Sequence, residues 1–113
     1  MAHKLPKVLP KSLATALGQI SVGYLSQEES DRLGAFGFFN LVKRTVDVLE
    51  TMPIQAQWQA FWHEAVHVAL WDTGAENVLD AKQLEVICDS LGTFLTQMML
   101  AGQLKVSAGE DTK

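Results

Sequence analysis

Ten residues, Trp62-His63-Glu64-Ala65-Val66-His67-Val68-Ala69-Leu70-Trp71, restrict this chain more than any other stretch. They contain His-Glu-x-x-His inside a run of helix-compatible residues with bulky apolar neighbours (Trp58, Phe61, Trp62, Val66, Leu70). On an α-helix, residues four apart share a face, so the His63 and His67 imidazoles can converge on one metal ion. Glu64 is rotated by about 100° from His63, which makes it a poor third ligand on that face but lets its carboxylate reach a water held by the metal. Were the motif accidental, two imidazoles without partners would have to be buried among aromatic and aliphatic side chains, which is unfavourable. The stretch therefore predicts a helix carrying the two-histidine part of a zinc hydrolase site, with Glu64 as the catalytic base.

A chain of 113 residues is expected to form one domain with a core of its own. A composition of 48% hydrophobic and 19% charged residues is globular, and the net charge of -4 argues against a nucleic-acid partner, which requires a basic face. Cys88 is the single cysteine, so neither an internal disulfide nor a thiolate zinc site is available, and a reducing compartment is expected. The opening Met1 to Pro10 is interrupted by prolines and lysines, and no later run reaches membrane-spanning length. A cytoplasmic protein with no membrane partner follows as the expectation.

Around the motif, the patterning predicts an α+β domain. Residues 1–12, polar and proline-broken, read as a flexible N-terminal arm with a short edge strand around Val8 and Leu9. Residues 13–102 form the single domain, and residues 103–113 read as a disordered tail. Gln19 to Leu25 alternates with the period of a half-buried strand, while Leu13 to Leu17 is open between a strand and a helical turn. Ser26 to Arg32, a run of polar residues between apolar segments, reads as a surface loop or a helical turn. Ala35 to Phe39 and Thr45 to Leu49 read as an antiparallel pair joined through Asn40 to Arg44, which makes a small antiparallel or mixed sheet of three or four strands. The aromatics Phe36, Phe38 and Phe39 are assigned to core packing.

Thr51 is a candidate cap, and Pro53 suits a first helical turn, so the motif helix runs from Ile54 to about Trp71 and leaves through Gly74. Asp80 with Gln83 forms a capping box for a second long helix, whose apolar stripe is Leu84, Ile87, Cys88, Leu91, Leu95, Met98 and Met99.

A hydrolytic zinc site takes three protein ligands and keeps one open position. No histidine follows His67, so the third ligand comes from Asp72, Glu76, Asp80, Glu85 or Asp89. Glu85 is favoured because it lies in the first turns of a helix able to pack beside the first. Asp89, one turn on, can then approach an imidazole N–H and fix its tautomer. His3 is read as a solvated terminal residue.

His63-Glu64-x-x-His67 followed by Glu85-x-x-x-Asp89 resembles the gluzincin pattern of thermolysin-like peptidases. With Leu33-Gly34-Ala35-Phe36-Gly37, Thr45-Val46-Asp47-Val48 and Glu85-Val86-Ile87-Cys88-Asp89-Ser90-Leu91, the stretch from about residue 20 to 100 looks like the small ImmA/IrrE-type metallopeptidases of phages and mobile elements. The resemblance implies a minimal zincin-like fold, Zn²⁺ on His63, His67 and Glu85, Glu64 as proton carrier, Asp89 behind a histidine, and a protein or peptide substrate, in the host cytoplasm if the chain is phage-encoded. Thermolysin-like enzymes add a histidine or tyrosine that stabilises the oxyanion; the body of this chain offers only Tyr24, so that role has no assigned residue. Two further readings differ in class: a zinc-binding but non-catalytic interaction module on the same fold, and a metal-free interaction domain. Oligomeric state is not encoded in any of these features.

Overall fold

The computed structural model describes residues 3–106 of the chain. Most of the expected disordered tail, residues 107–113, lies outside the described residues, as do Met1 and Ala2. The architecture is α+β: a four-stranded mixed sheet with two long helices on one face and a short helix at one end. The elements are β1 (Ser12–Thr15), β2 (Gly18–Leu25), α1 (Gln27–Leu33), β3 (Gly37–Asn40), β4 (Thr45–Leu49), α2 (Ile54–Asp72), a 3₁₀ turn (Ala75–Asn77) and α3 (Ala81–Leu100). Among the described residues, no helix is long and apolar enough to cross a membrane.

The strand order is β1-β2-β4-β3, with β1–β2 and β3–β4 antiparallel and β2–β4 parallel. The β3–β4 hairpin follows the expected pairing, whereas the parallel β2–β4 contact arises because α1 and β3 intervene and return the chain in the original direction. Register aligns Leu13 with Ile20, Val22 with Val46 and Phe39, and Tyr24 with Val48 and Gly37. Since side chains alternate across a strand, these rows share one face, and Ile20, Val46 and Val48 on it are completely buried. Gly37 stands at the free edge of that row, where β3 passes over α2.

Helix α2 presses Trp58, Phe61 and Val68 into the core with Ile20, Val46, Val48, Met99, Leu5 and Leu9. Trp58 and Phe61 pack edge to face at 5.6 Å, and removing either side chain would cost about 3–5 kcal/mol. The Gln57 side-chain amide donates to the carbonyls of Glu50 and Met52, at 3.0 and 2.9 Å, and fastens the turn from β4 into α2. Thr51 is not the cap: its hydroxyl donates to Gln27 Oε1, and Pro53 stands at the N-cap without a side-chain bond. Proline is tolerated at this helix start because the first-turn N–H groups have no intrahelical acceptor.

Several sequence expectations change. Residues 3–11 are no loose arm: Leu5 and Leu9 are buried, the Leu9 N–H donates to the Tyr24 hydroxyl and Trp58 Nε1–H donates to the Pro6 carbonyl at 2.8 Å. Val8 and Leu9 form no strand, since the prolines flanking them interrupt ladder bonding. Of the two readings of Ser26 to Arg32, the helical one holds: the stretch caps and forms most of α1, started by a capping box of Ser26 and Glu29 and closed by Gly34 in the left-handed region. In α3 the buried residues are Cys88, Gly92, Thr96 and Met99, and Leu91 is turned toward solvent. Phe36 is also outside the core, with 67% of its surface exposed.

Candidate metal centre

Helices α2 and α3 run antiparallel and pack along their length. Their separation is set at Gly92, where a Cβ atom would stand 3.2 Å from both the Gln59 carbonyl and the His63 backbone nitrogen. A Cβ there would be in tighter contact than is usual, and against backbone atoms, so glycine suits the close approach of the two helices. That approach brings Glu85 and Asp89, in the first half of α3, opposite His67 and His63. The capping box of Asp80 and Gln83 holds this end of α3 as expected.

The two imidazoles lie 5.0 Å apart, centroid to centroid. His63 Nε2 is 3.3 Å from Glu85 Oε1, and His67 Nε2 is 2.9 Å from Glu85 Oε2. One donor atom from each of the three residues lies within 4.8 Å of the other two. A tetrahedral zinc ion with bonds of about 2.0–2.2 Å places its ligands about 3.3–3.6 Å apart, close to the separations of Glu85 from the two imidazoles, so these three residues could hold such an ion. An Nε2 lone pair aimed at a carboxylate oxygen is repulsive unless a proton or a cation lies between them.

The outer ring nitrogens show which form is favoured. His63 Nδ1 is 2.7 Å from Asp89 Oδ1, and His67 Nδ1 is 3.6 Å from Glu76 Oε2. For His63 the 2.7 Å contact fits an Nδ1–H donating to Asp89, which leaves the lone pair on Nε2, toward Glu85, the tautomer a metal ligand needs; for His67 the hydrogen-bonding contact is the one between Nε2 and Glu85, and Glu76 stands just beyond hydrogen-bonding distance of Nδ1. Of the two imidazoles, it is His63 that Asp89 meets. Glu64 lies beside the pair, its Oε2 4.0 Å from His63 Nε2, with 14% of its side chain exposed. Burial raises the Glu64 pKa above the usual carboxylate range, while the imidazoles draw it partly back. A carboxylate moved in that direction accepts a proton more readily.

Charge balance points the same way. Glu64, Glu76, Glu85 and Asp89 surround two imidazoles, and among the described residues no lysine or arginine comes within 4.0 Å of any of these acids. Among the described residues, the two imidazoles are the basic groups that face these acids.

The remaining ligand candidates are engaged elsewhere. Asp72 is held by the Arg44 guanidinium through paired contacts of 2.8 and 3.1 Å, and Asp80 caps α3. The Cys88 thiol is buried and pushed up to about 12 by burial and by neighbouring acids, so it offers no nucleophile. His3 lies against Gly102, and the Tyr24 hydroxyl accepts from Leu9, so neither belongs to this site.

A cleft of about 560 Å³ opens over the centre, walled by Ala35, Phe36, Met52, Ala56 and Ala60 and floored by His63, Glu64, Glu85 and Asp89. A second hollow of about 270 Å³, lined by Phe38, Leu41, Trp71, His67 and Glu76, continues on the other side. Gly37 and Glu64 line both. A Cβ at Gly37 would stand 3.2 Å from Glu64 Cγ, so glycine lets the β3 edge pass directly above that carboxylate.

Three participants escaped the sequence reading in these roles: Gly37, Gly92 and Glu76 behind His67. The two glycines did leave a signal, since a glycine inside a strand or a helix marks a close approach. Glu76 left none beyond its acidity. Compared with protein families, curated proteins and solved structures, the chain matches none.

Proposed function

We propose that this protein is a zinc-dependent peptidase of minimal α+β build, with His63, His67 and Glu85 as metal ligands and Glu64 as the catalytic acid–base. The observation that carries the reading is the convergence of both Nε2 atoms on opposite oxygens of Glu85, beside an enclosed Glu64 and with no lysine or arginine to balance the acids. Two imidazoles and one carboxylate form a donor set suited to zinc. When bound there, zinc supplies a Lewis acid at the floor of the cleft.

Glu64 accepts a proton at a carboxylate oxygen from the attacking water and later donates it to the departing amine. Asp89 holds the His63 ring in its ligating tautomer. The cleft and the second hollow extend in both directions from Glu64 under the β3 edge, a shape that admits an extended polypeptide and allows main-chain pairing with an edge strand. The resemblance of the His63–Asp89 segment to gluzincins of the ImmA/IrrE type supports the peptide-bond reaction, and the single free thiol, Cys88, suits a reducing cytoplasm.

A second reading is a zinc-binding module without catalysis. One observation favours it: among the described residues lining the cleft, no tyrosine, arginine or further histidine stands ready to stabilise an oxyanion. Elemental analysis of protein purified without a histidine tag or added metal tests the common premise, and peptide-library cleavage by parent and Glu64→Gln proteins separates the two readings. The peptidase reading expects stoichiometric zinc in both and cleavage by the parent alone. Zinc in both without cleavage by either supports the binding module, and protein without zinc excludes both readings.

A further inference from the structure

The geometry points to Glu76 as a positioning residue for His67, doing for the second imidazole what Asp89 does for the first; this inference rests on the zinc reading above. Glu76 lies in the 3₁₀ turn Ala75–Asn77, just beyond α2. Gly74, in the left-handed region, reverses the chain there, and the Asn77 and Val78 N–H groups donate to the carbonyls of Gly74 and Ala75. The turn is thereby folded back on the helix it has just left, and Glu76 Oε2 comes to 3.6 Å from His67 Nδ1.

Accessibility separates Glu76 from an ordinary surface acid. Its side chain is 22% exposed, close to the 19% of His67, whereas Glu85 and Asp89 are 58% and 73% exposed. A carboxylate kept largely from water needs a partner, since its charge is otherwise poorly solvated. Among the described residues, no lysine or arginine lies within 4.0 Å of Glu76, and the basic group beside it is His67. The pair is matched by chemistry, at a separation just longer than a hydrogen bond.

The consequence follows from the two faces of the imidazole. His67 Nε2 meets Glu85 at 2.9 Å, and a metal taken up at Nε2 would leave the ring proton on Nδ1, where Glu76 at 3.6 Å is the acid placed to close on it and hold the ring against rotation about its Cβ–Cγ bond. A carboxylate behind the ring also makes Nε2 a more basic ligand. His63 and His67 then each stand between an outer acid and the shared Glu85.

The test measures metal affinity rather than turnover. Zinc dissociation constants by chelator competition, and visible spectra of the Co²⁺-substituted protein, are compared for the full chain and its Glu76→Ala and Glu76→Gln variants. Glu76→Ala is expected to weaken zinc binding about 10–100-fold and to shift the Co²⁺ absorption bands. Glu76→Gln, whose amide oxygen still accepts from Nδ1–H, is expected to recover part of the loss, with the metal-free melting temperature unchanged in both. Parental affinity and spectrum in Glu76→Ala would overturn the inference and leave the zinc reading intact. Equal losses in both variants, together with a lowered melting temperature of the metal-free protein, would make Glu76 a structural acid and overturn it as well. A parent chain that binds no zinc would remove the reading on which the inference stands.

Discussion

Two groups of charges lie on α2, and they are satisfied in opposite ways. At the helix end, Asp72 is 1% exposed, and Arg44 grips both its oxygens while also donating to the Thr15 hydroxyl at 2.9 Å. The guanidinium holds the Asp72 carboxyl down at about 2. One turn and more toward the N-terminus, His63, Glu64 and His67 face Glu76, Glu85 and Asp89 with no lysine or arginine among them. The first group is complete within the chain and ties β1, the β3–β4 hairpin and α2 together. The second is a group of donors from which His63, His67 and Glu85 could hold a metal ion. The acid paired with arginine serves the fold, whereas the acids around the two imidazoles are the ones that the zinc proposal takes up.

The contrast yields experiments, beginning with the largest effect. His63→Ala or Glu85→Ala is expected to eliminate stoichiometric zinc and peptidase activity together, read by elemental analysis and peptide cleavage; full zinc retention in both would break the distinction drawn here. Glu64→Gln is expected to keep the zinc content of the parent while cleavage slows about 10²–10⁴-fold, the usual worth of a positioned proton carrier.

Gly92→Val tests the shared scaffold. Its side chain would meet the Gln59 carbonyl and the His63 backbone nitrogen, where even a Cβ is only 3.2 Å away. Overpacking of this kind costs about 1–3 kcal/mol, measurable by chemical denaturation of the metal-free protein. Zinc affinity should fall with it, because Glu85 and Asp89 retreat from the histidines as α3 is displaced.

Arg44→Ala should leave zinc affinity unchanged and lower stability, the reverse of the pattern at His63. The pH dependence has a definite sign. Pairing depresses the native Asp72 value from 3.8 to about 2, so the native state favours the ionised form. That contribution is present above pH 3.8, the ordinary value, and is lost as pH falls through about 2. Melting temperatures of parent and Arg44→Ala should differ near neutrality and converge in that acid window. A difference that grew on acidification would contradict the clamp.

Much of the helical half of the molecule is legible in the residues themselves. Asp80 with Gln83 announces the start of α3, and the His63–His67 and Glu85–Asp89 spacings place their side chains on single helical faces. The Ser26–Glu29 box was equally local and marks α1, although the polarity of that stretch fits a loop as well as a helical turn. Where the reading failed, the cause was rotation or distance. Leu91 fits the apolar period of α3, yet the close contact at Gly92 turns the helix so that Cys88, Gly92 and Thr96 face inward. Leu5 and Leu9 sit among prolines and lysines, and their burial depends on Trp58 and Tyr24, far along the chain.

By itself, the order of residues determined the motif, the type and extent of its two long helices, and the acids within reach of them. Those properties depend on neighbours three or four positions away, where backbone geometry is fixed and periodicity can be counted. Which acid meets which imidazole, that β3 crosses above Glu64, and that Arg44 removes Asp72 from the candidates were decided only when α2, α3 and the sheet packed together. Such choices turn on separations of an ångström or less between elements distant in sequence, and no local pattern carries that information.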